Sequence, residues 1–334
     1  MENDKFKESF KYFKSRNPPP DLSLAIDIDG EKHQNVLCRL TVNTSLLSPS
    51  LSSILKSEWD VFQFQPCPGL ILIRNPFTPL GQRYFMARCL QNYPIKNPTN
   101  LQTKNISLEK SSWWEELQEI KDPVAHKKLR EDLRWTTLGY HHDWETKVYD
   151  EKMRNEFPAD LEFLVKEIAK VMKFKEYQPE AAIVNYYPLN ATLAGHVDYS
   201  EKCNEPLFSI SLGQSACFLI GGETKDIKPH PLLLQSGDIC IFTEQSRFAY
   251  HAVPKIIKIE EKVWNEDKNN ETQSNSMNLP EYFDTKTVEI VQNSEQWKAF
   301  DDYVSLCRIN INVRQVFKDV DDQNFVNENK KMKT

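Results

Sequence analysis

The chain has no run of about 18 consecutive apolar residues, the length that crosses a bilayer as a helix, so a transmembrane span is not expected. It also has no Cys-x-x-Cys pair. Its seven cysteines, at 38, 67, 89, 203, 217, 240 and 307, are scattered and odd in number. That argues against a disulfide frame or a zinc knuckle and for free thiols in a reducing compartment, with Cys217, Cys240 and Cys307 as core fillers in apolar runs. An excess of positive charge is missing too. The formal net charge of −6 speaks against an indiscriminate polyanion binder, although local basic surfaces matter more for a specific one. Nor is the start acid-poor in the manner of a transit peptide, because Glu2, Asp4 and Glu8 lie among its lysines.

What is present begins with Phe6, Phe10, Tyr12 and Phe13 among Lys5, Lys7, Lys11, Lys14 and Arg16, an amphipathic helical spacing that ends at Pro18-Pro19-Pro20. A helix docked on the body is expected, followed by a polar connection over 21–57. Thr78-Pro79 reads as an N-cap with proline at the first helical position, opening a helix to about residue 92. Another helix is expected over 113–120. The basic segment 126–130, with Arg134 and then Trp135, suits a phosphate track leading to a stacking platform; Asp122, Glu131 and Asp132 leave open a plain solvated face. Leu161, Leu164, Val165, Ile168, Val171 and Met172 repeat at helical spacing and predict a helix backing a sheet. Strands follow over 207–212, 216–220, 231–235 and 239–242, with turns at Gly221-Gly222 and Ser236-Gly237-Asp238. Residues 260–284 read as a polar insertion, Trp297, Phe300 and Val304 as a short helix capped by Ser294, and 330–333 as a disordered tail. Many short strands with turn signals predict a β-sandwich or jelly roll with helices outside.

Three distant stretches carry chemistry. His196-Val197-Asp198 on a strand would place both side chains on one face, and His251 would arrive from another strand in the run 248–254. Two histidines and a carboxylate leave adjacent positions open on Fe(II) for a bidentate cosubstrate and dioxygen. Taken alone, the tripeptide is as well read as a histidine near a loop carboxylate. In the segment 308–314, Ile309, Ile311 and Val313 alternate with Arg308, Asn310, Asn312 and Arg314. The polar face could be a solvated edge, or a buried cradle in which guanidinium forks hold a dicarboxylate. His141-His142-Asp143 resembles a second metal site only superficially, because neighbouring residues on a strand face opposite ways and both imidazoles could not easily share one ion; a lid contact to the substrate is the preferred reading and an ordinary surface pair the fallback.

Together, Asn185-Tyr186-Tyr187, His196-Val197-Asp198, His251 and the 308–314 strand resemble the AlkB-type Fe(II)/2-oxoglutarate dioxygenases in order and approximate spacing. Leu133-Arg134-Trp135, Gly139-Tyr140-His141, Gly213-Gln214-Ser215-Ala216, Ser236-Gly237-Asp238-Ile239, His251-Ala252-Val253-Pro254 and Val313-Arg314-Gln315-Val316 extend the likeness, toward animal members of the family, over most of the chain. The resemblance implies an α+β fold with a double-stranded β-helix (jelly-roll) core. It implies His196, Asp198 and His251 as iron ligands, and Asn185, Tyr187, Arg308, Asn310 and Arg314 as residues facing 2-oxoglutarate. Trp135, Tyr140, His141, His142, Asp143 and Ser200 would lie on the substrate side. Two departures stand out: Ser200 occupies the place of a second acid in bacterial relatives, and Asn312 that of a threonine common between the two arginines.

The expected organisation is an N-terminal extension and support region over 1–112, a nucleotide-recognition lid and backing helix over 113–180, the jelly-roll core over 181–320 and a tail over 321–334. The implied activity is oxidation of methylated bases in nucleic acid, with tRNA as the leading substrate, by N1-methyladenine demethylation or 5-methylcytosine oxidation. DNA N6-methyladenine demethylation is the alternative enzyme reading, and a non-catalytic nucleic-acid-binding protein on the same fold is the alternative of another class. A monomer is expected, in mitochondria or nucleus and conceivably the cytoplasm.

Overall fold

The computed structural model describes residues 4–28, 33–265 and 279–317. Fourteen strands are formed among them: β1 (Ile26–Asp27), β2 (Leu37–Leu40), β3 (Asp60–Phe64), β4 (Leu70–Arg74), β5 (Trp135–His142), β6 (Tyr149–Arg154), β7 (Ala181–Pro188), β8 (Leu193–His196), β9 (Leu207–Gly213), β10 (Ser215–Ile220), β11 (His230–Leu234), β12 (Ile239–Phe242), β13 (His251–Ile257) and β14 (Cys307–Arg314). They make a major sheet in the order β2-β3-β4-β12-β9-β14-β7-β5-β6 and a minor sheet in the order β1-β11-β10-β13-β8. Of the eight strands β7 to β14, four (β7, β9, β12, β14) lie in the major sheet and four (β8, β10, β11, β13) in the minor, the chain crossing between sheets at every step except the β10–β11 hairpin, and apart from the parallel contact of β1 with β11 the pairing is antiparallel. This is the expected jelly-roll, extended at both edges of the major sheet.

Helices cover the outer face of the major sheet. They are α1 (Lys5–Lys14), α2 (Pro79–Ala87), α3 (Tyr93–Lys96), α4 (Asn100–Thr103), α5 (Trp113–Glu119), α6 (Pro123–Asp132), α7 (Ala159–Val171), α8 (Thr285–Gln292) and α9 (Ser294–Val304), of which α1 is the exception in position. Thr78 caps α2, its hydroxyl accepting from the Gly81 N–H at 3.0 Å, and a π-turn over Arg88–Asn92 continues the coil toward α3. Leu161, Leu164, Val165 and Ile168 of α7 are fully buried in the same cluster as Ile309, Ile311 and Val313 of β14. The helical period and the strand period thus meet face to face, each fully buried aliphatic side chain contributing about 1.5–3 kcal/mol. Asp160 joins α2 and α7, accepting from Tyr84 Oη at 2.8 Å and Arg88 Nε at 2.6 Å.

α1 sits elsewhere. Its Phe6 and Phe13 are buried against Cys217, Leu219 and Ala252 on the outside of the minor sheet. Three expectations need correction. The connection over 21–57 is not merely polar loop, because Ile26 and Leu37 are buried and seed β1 and β2, strands too short for their periodicity to be read. α9 is capped by Asn293, whose Oδ1 accepts from the Glu295 and Gln296 N–H groups, so Ser294 is the first helical residue instead. The supposed insertion over 260–284 contributes the fully buried Trp264, whose indole donates to Asp301 at 2.8 Å, and Phe283; most of that stretch, and the tail over 330–333, lie outside the described residues.

Candidate functional site

β14 lies between β9 and β7 in the middle of the major sheet, so its polar face cannot be a solvated edge. Alternation sends Arg308, Asn310 and Asn312 into a cavity between the two sheets, which Tyr187, Ser209, Phe218, Phe242, His196, Asp198 and His251 also line. Arg308 is 1% exposed and lies 5.4 Å from the Tyr187 ring. Its Nη2 donates to Ser211 Oγ at 3.0 Å, while Nε and Nη1 are buried with no hydrogen-bond partner among the described residues. Burial pushes this guanidinium down from its ordinary pKa. A buried cation with two unused donors is costly unless an anion is meant to reach it. Asn310 donates to Ser209 Oγ and the Ile210 carbonyl, both at 3.0 Å, and Asn185 is the cross-strand neighbour of both Asn310 and Trp135.

Opposite, His196 of β8 and His251 of β13 are direct cross-strand partners, with ring centroids 4.3 Å apart. Each Nδ1 donates to the carbonyl two residues upstream, His196 to Ala194 at 2.9 Å and His251 to Ala249 at 3.1 Å. That fixes the tautomer and leaves both Nε2 lone pairs facing Asp198. His196 Nε2 is 3.7 Å from Asp198 Oδ1 and His251 Nε2 is 4.0 Å from Oδ2. The three ligand atoms lie within 4.8 Å of one another, the spacing at which one ion can take all three. Burial first, then the neighbouring His196, pushes His251 down to about 4, so it is neutral at neutral pH. Burial would raise the Asp198 carboxyl, but Arg314 at 3.5 Å, His251 and His196 outweigh it and hold it well below the usual carboxylate range.

Two residues that the sequence reading did not single out complete the electrostatics. Glu201, with its side chain 1% exposed, accepts from Arg314 Nη1 at 2.9 Å and Arg247 Nη2 at 3.0 Å. One carboxylate therefore holds two buried guanidiniums, one of which reaches Asp198. Charge close to each ligand, three residues after Asp198 and four before His251, was the only sequence signal.

The substrate-side residues divide. Trp135, paired to Asn185, packs 5.2 Å from Trp144, which stacks edge-on to His142 at 4.7 Å, and His142 shares a 3.0 Å hydrogen bond with Ser200 Oγ. Tyr149, beside His142 at 5.3 Å, lies 3.4 Å from Arg314 Nη1. Tyr140 and His141 are corrections. Gly139, at φ +68° with the Glu180 carbonyl 2.1 Å from where a β-carbon would stand, and an irregular pairing between Tyr140 and His142 break the strand's alternation. Tyr140 is consequently fully buried, bonded to Glu151 and packed on Phe317 at 5.2 Å. His141 turns to a different groove beside Pro98 and Asn155, its Nδ1 bonded to Thr137 Oγ1 at 3.0 Å. Asp143 spends its carboxylate on the turn, accepting from Glu145 N–H at 2.8 Å and Thr146 N–H at 3.2 Å.

Residues 69–314 match the 2OG-Fe(II) oxygenase superfamily. The chain belongs to that superfamily. Within it, the chain is 33% identical over 341 residues to "Nucleic acid dioxygenase ALKBH1" of Homo sapiens, covering 96% of this chain and 86% of that protein. It is 35% identical over 274 residues to "tRNA demethylase abh1" of Schizosaccharomyces pombe, covering 77% and 82% respectively. It is also 35% identical over 198 residues to "DNA N(6)-methyladenine demethylase ALKBH1A" of Arabidopsis thaliana, covering 58% and 52%. The oxygenase is thus of the AlkB type, an Fe(II)/2-oxoglutarate-dependent dioxygenase whose cosubstrates are 2-oxoglutarate and dioxygen. Its residues suit them. Imidazole and carboxylate donors match Fe(II), and the unpartnered Nε and Nη1 of Arg308 match a carboxylate.

Proposed function

We propose that this dioxygenase oxidises methylated bases in nucleic acid, tRNA foremost, and that His196, Asp198 and His251 hold the iron. The observation that carries the reading is the pairing of that triad with Arg308, a buried cation across the same cavity whose Nε and Nη1 have no hydrogen-bond partner among the described residues. Bound there, iron with 2-oxoglutarate and dioxygen supplies oxidation of a methyl C–H to an alcohol, 2-oxoglutarate leaving as succinate and carbon dioxide. On nitrogen, the alcohol collapses and releases formaldehyde; on carbon, it stays or is oxidised further.

The chain's own residues do the positioning. Arg308 would pair with the distal carboxylate of 2-oxoglutarate, and Tyr187 and Asn310, which line the same cavity, would hold the molecule together with Asn185, the cross-strand neighbour of Asn310. Arg314, fixed by Glu201, orients Asp198. Phe218 and Phe242, whose rings lie 5.9 and 5.5 Å from His251, keep water from the inner side of the triad. Trp135 stacks on the extruded base, and His142 with Ser200 offers hydrogen bonds to its edge.

tRNA stands first because loops present unpaired or extrudable bases and because the long-matching yeast relative is named for that substrate. The Arabidopsis relative's name favours DNA N6-methyladenine instead. Turnover on methylated tRNA and on bubbled methylated DNA, measured side by side, separates the two: faster loss of the methyl from tRNA is expected, and a large preference for DNA would reverse the order.

A further inference from the structure

His141 and His142 are neighbours on β5 with different surroundings. His142 meets Ser200, two residues from Asp198, whereas His141 lines a groove of about 330 Å³ together with Ile95, Lys96, Lys152, Met153 and Arg154. No carboxylate lines that groove, in a chain whose formal net charge is −6; the grooves beside α7, α9 and β13 each contain glutamate. Asn155 Nδ2 donates to the Lys96 carbonyl at 2.8 Å and to Asn97 Oδ1 at 3.1 Å, tying the end of α3 to the end of β6. The His141 ring, 5% exposed, forms part of the wall, with Nδ1 bonded to Thr137 and Nε2 buried with no hydrogen-bond partner among the described residues. Burial holds it neutral, against a smaller opposing effect of the Asn155 side chain. With Thr137 donating to Nδ1, Nε2 keeps the proton and is a donor without an acceptor. Lys96 and Lys152 are exposed and make no ion pair among the described residues, while Arg154 gives Nη1 to Glu151 and Tyr140.

β6 is the edge strand of the major sheet, and lysine on an edge serves by itself to block further strand pairing. That does not account for Lys96, which comes from α3, or for the unused Nε2 of His141. Nor does it account for Ile95 and Met153, 47% and 44% exposed in the same groove. Cations beside exposed apolar side chains suit a polymer that alternates anionic phosphates with sugars. We propose that this groove receives the sugar–phosphate backbone of the nucleic acid away from the base being oxidised, Lys96, Lys152 and Arg154 taking a phosphate and Ile95 and Met153 the ribose. This rests on the reading of the protein as a nucleic-acid dioxygenase. The contact is blind to sequence, and it adds affinity only for substrates that extend from the iron cavity to the groove.

The test measures binding of unmethylated tRNA to the full chain by fluorescence anisotropy over a range of salt, for wild type and for the double variant Lys96→Gln, Lys152→Gln. Kd should rise roughly tenfold in the variant, and the slope of log Kd against log salt should fall by about one for each lysine removed. Lys96→Arg with Lys152→Arg should restore both. With Fe(II) and 2-oxoglutarate present, KM for methylated tRNA should rise in step in the glutamine variant, while KM for a methylated mononucleotide should match wild type. Unchanged Kd and salt slope for tRNA would overturn the groove even if methylated tRNA is oxidised normally. A variant that loses binding of free adenosine monophosphate yet keeps the wild-type Kd for tRNA would also overturn it, by assigning the groove to a free nucleotide. If wild type binds tRNA through these lysines but oxidises no methylated nucleic acid, the functional reading falls and the groove stands; if wild type binds no tRNA at all, both fall.

Discussion

Replacing Arg308 with methionine should raise the KM for 2-oxoglutarate by about two to three and a half orders of magnitude without weakening the cosubstrate-free fold. The first part follows from the cost of leaving one member of a buried ion pair alone, about 3–5 kcal/mol, at about 1.4 kcal/mol per tenfold. The second follows from what Arg308 does on its own. Its guanidinium is 1% exposed and, among the described residues, has one hydrogen bond, to Ser211, and leaves Nε and Nη1 buried and unused. A methionine of similar length removes that desolvated charge, a change that is neutral or stabilising by about 1–4 kcal/mol, against about 1 kcal/mol for the Ser211 bond. Succinate formation titrated with 2-oxoglutarate gives KM, and anaerobic thermal unfolding with and without 2-oxoglutarate gives the linkage. Wild type should gain Tm on adding the cosubstrate and Arg308→Met should not. An unchanged KM would refute the assignment, and a large fall in the Tm of the cosubstrate-free variant would refute the claim that the arginine is held at a cost to the fold.

Glu201→Gln should destabilise the metal-free protein by about 3 kcal/mol in denaturant unfolding, because Arg314 and Arg247 lose their shared carboxylate. It should also weaken Fe(II) binding at least about tenfold in a metal titration; unaltered affinity would separate Glu201 from the ordering of Asp198. The metal-free protein should become less stable as pH falls from about 6.5 to about 4, because burial and His196 hold folded His251 at about 4 while the unfolded chain binds the proton earlier. The loss is at most about 3 kcal/mol and is read from unfolding midpoints across that window; a flat profile would contradict it. Gly195→Ala should cost about 1–3 kcal/mol and expose the lysines of α1 to trypsin, since its β-carbon would stand 2.6 Å from Phe6 Cε1. Unchanged cleavage of α1 would mean the helix is not docked there.

The parts of the fold that repeat with a strong period were legible. Leu161 to Val171 and the alternation through 308–314 found their elements, because both patterns are set by which face is buried. β1 and β2 were not legible, since two to four residues carry too little periodicity. At the site, the histidines and Asp198 could be named because a metal demands particular donors. Glu201 and Arg247 could not, because a carboxylate and a guanidinium far apart in sequence show their pairing only once the β8–β9 connection and the turn before β13 are folded together. Tyr140 and His141 were placed on the wrong side for a local reason. The positive φ at Gly139 and the irregular pairing after it reset the alternation, and a glycine in a strand does not announce which way the following residues turn.

The central claim is that one His–Asp–His iron centre oxidises methylated nucleic acid at the expense of 2-oxoglutarate. It is tested most directly by mass spectrometry of nucleosides from methylated tRNA incubated with Fe(II) and 2-oxoglutarate, comparing wild type with Asp198→Ala. Wild type should convert the methylated nucleoside with equimolar succinate, and Asp198→Ala should convert none. Equal conversion by both would contradict the metal assignment on which the rest depends.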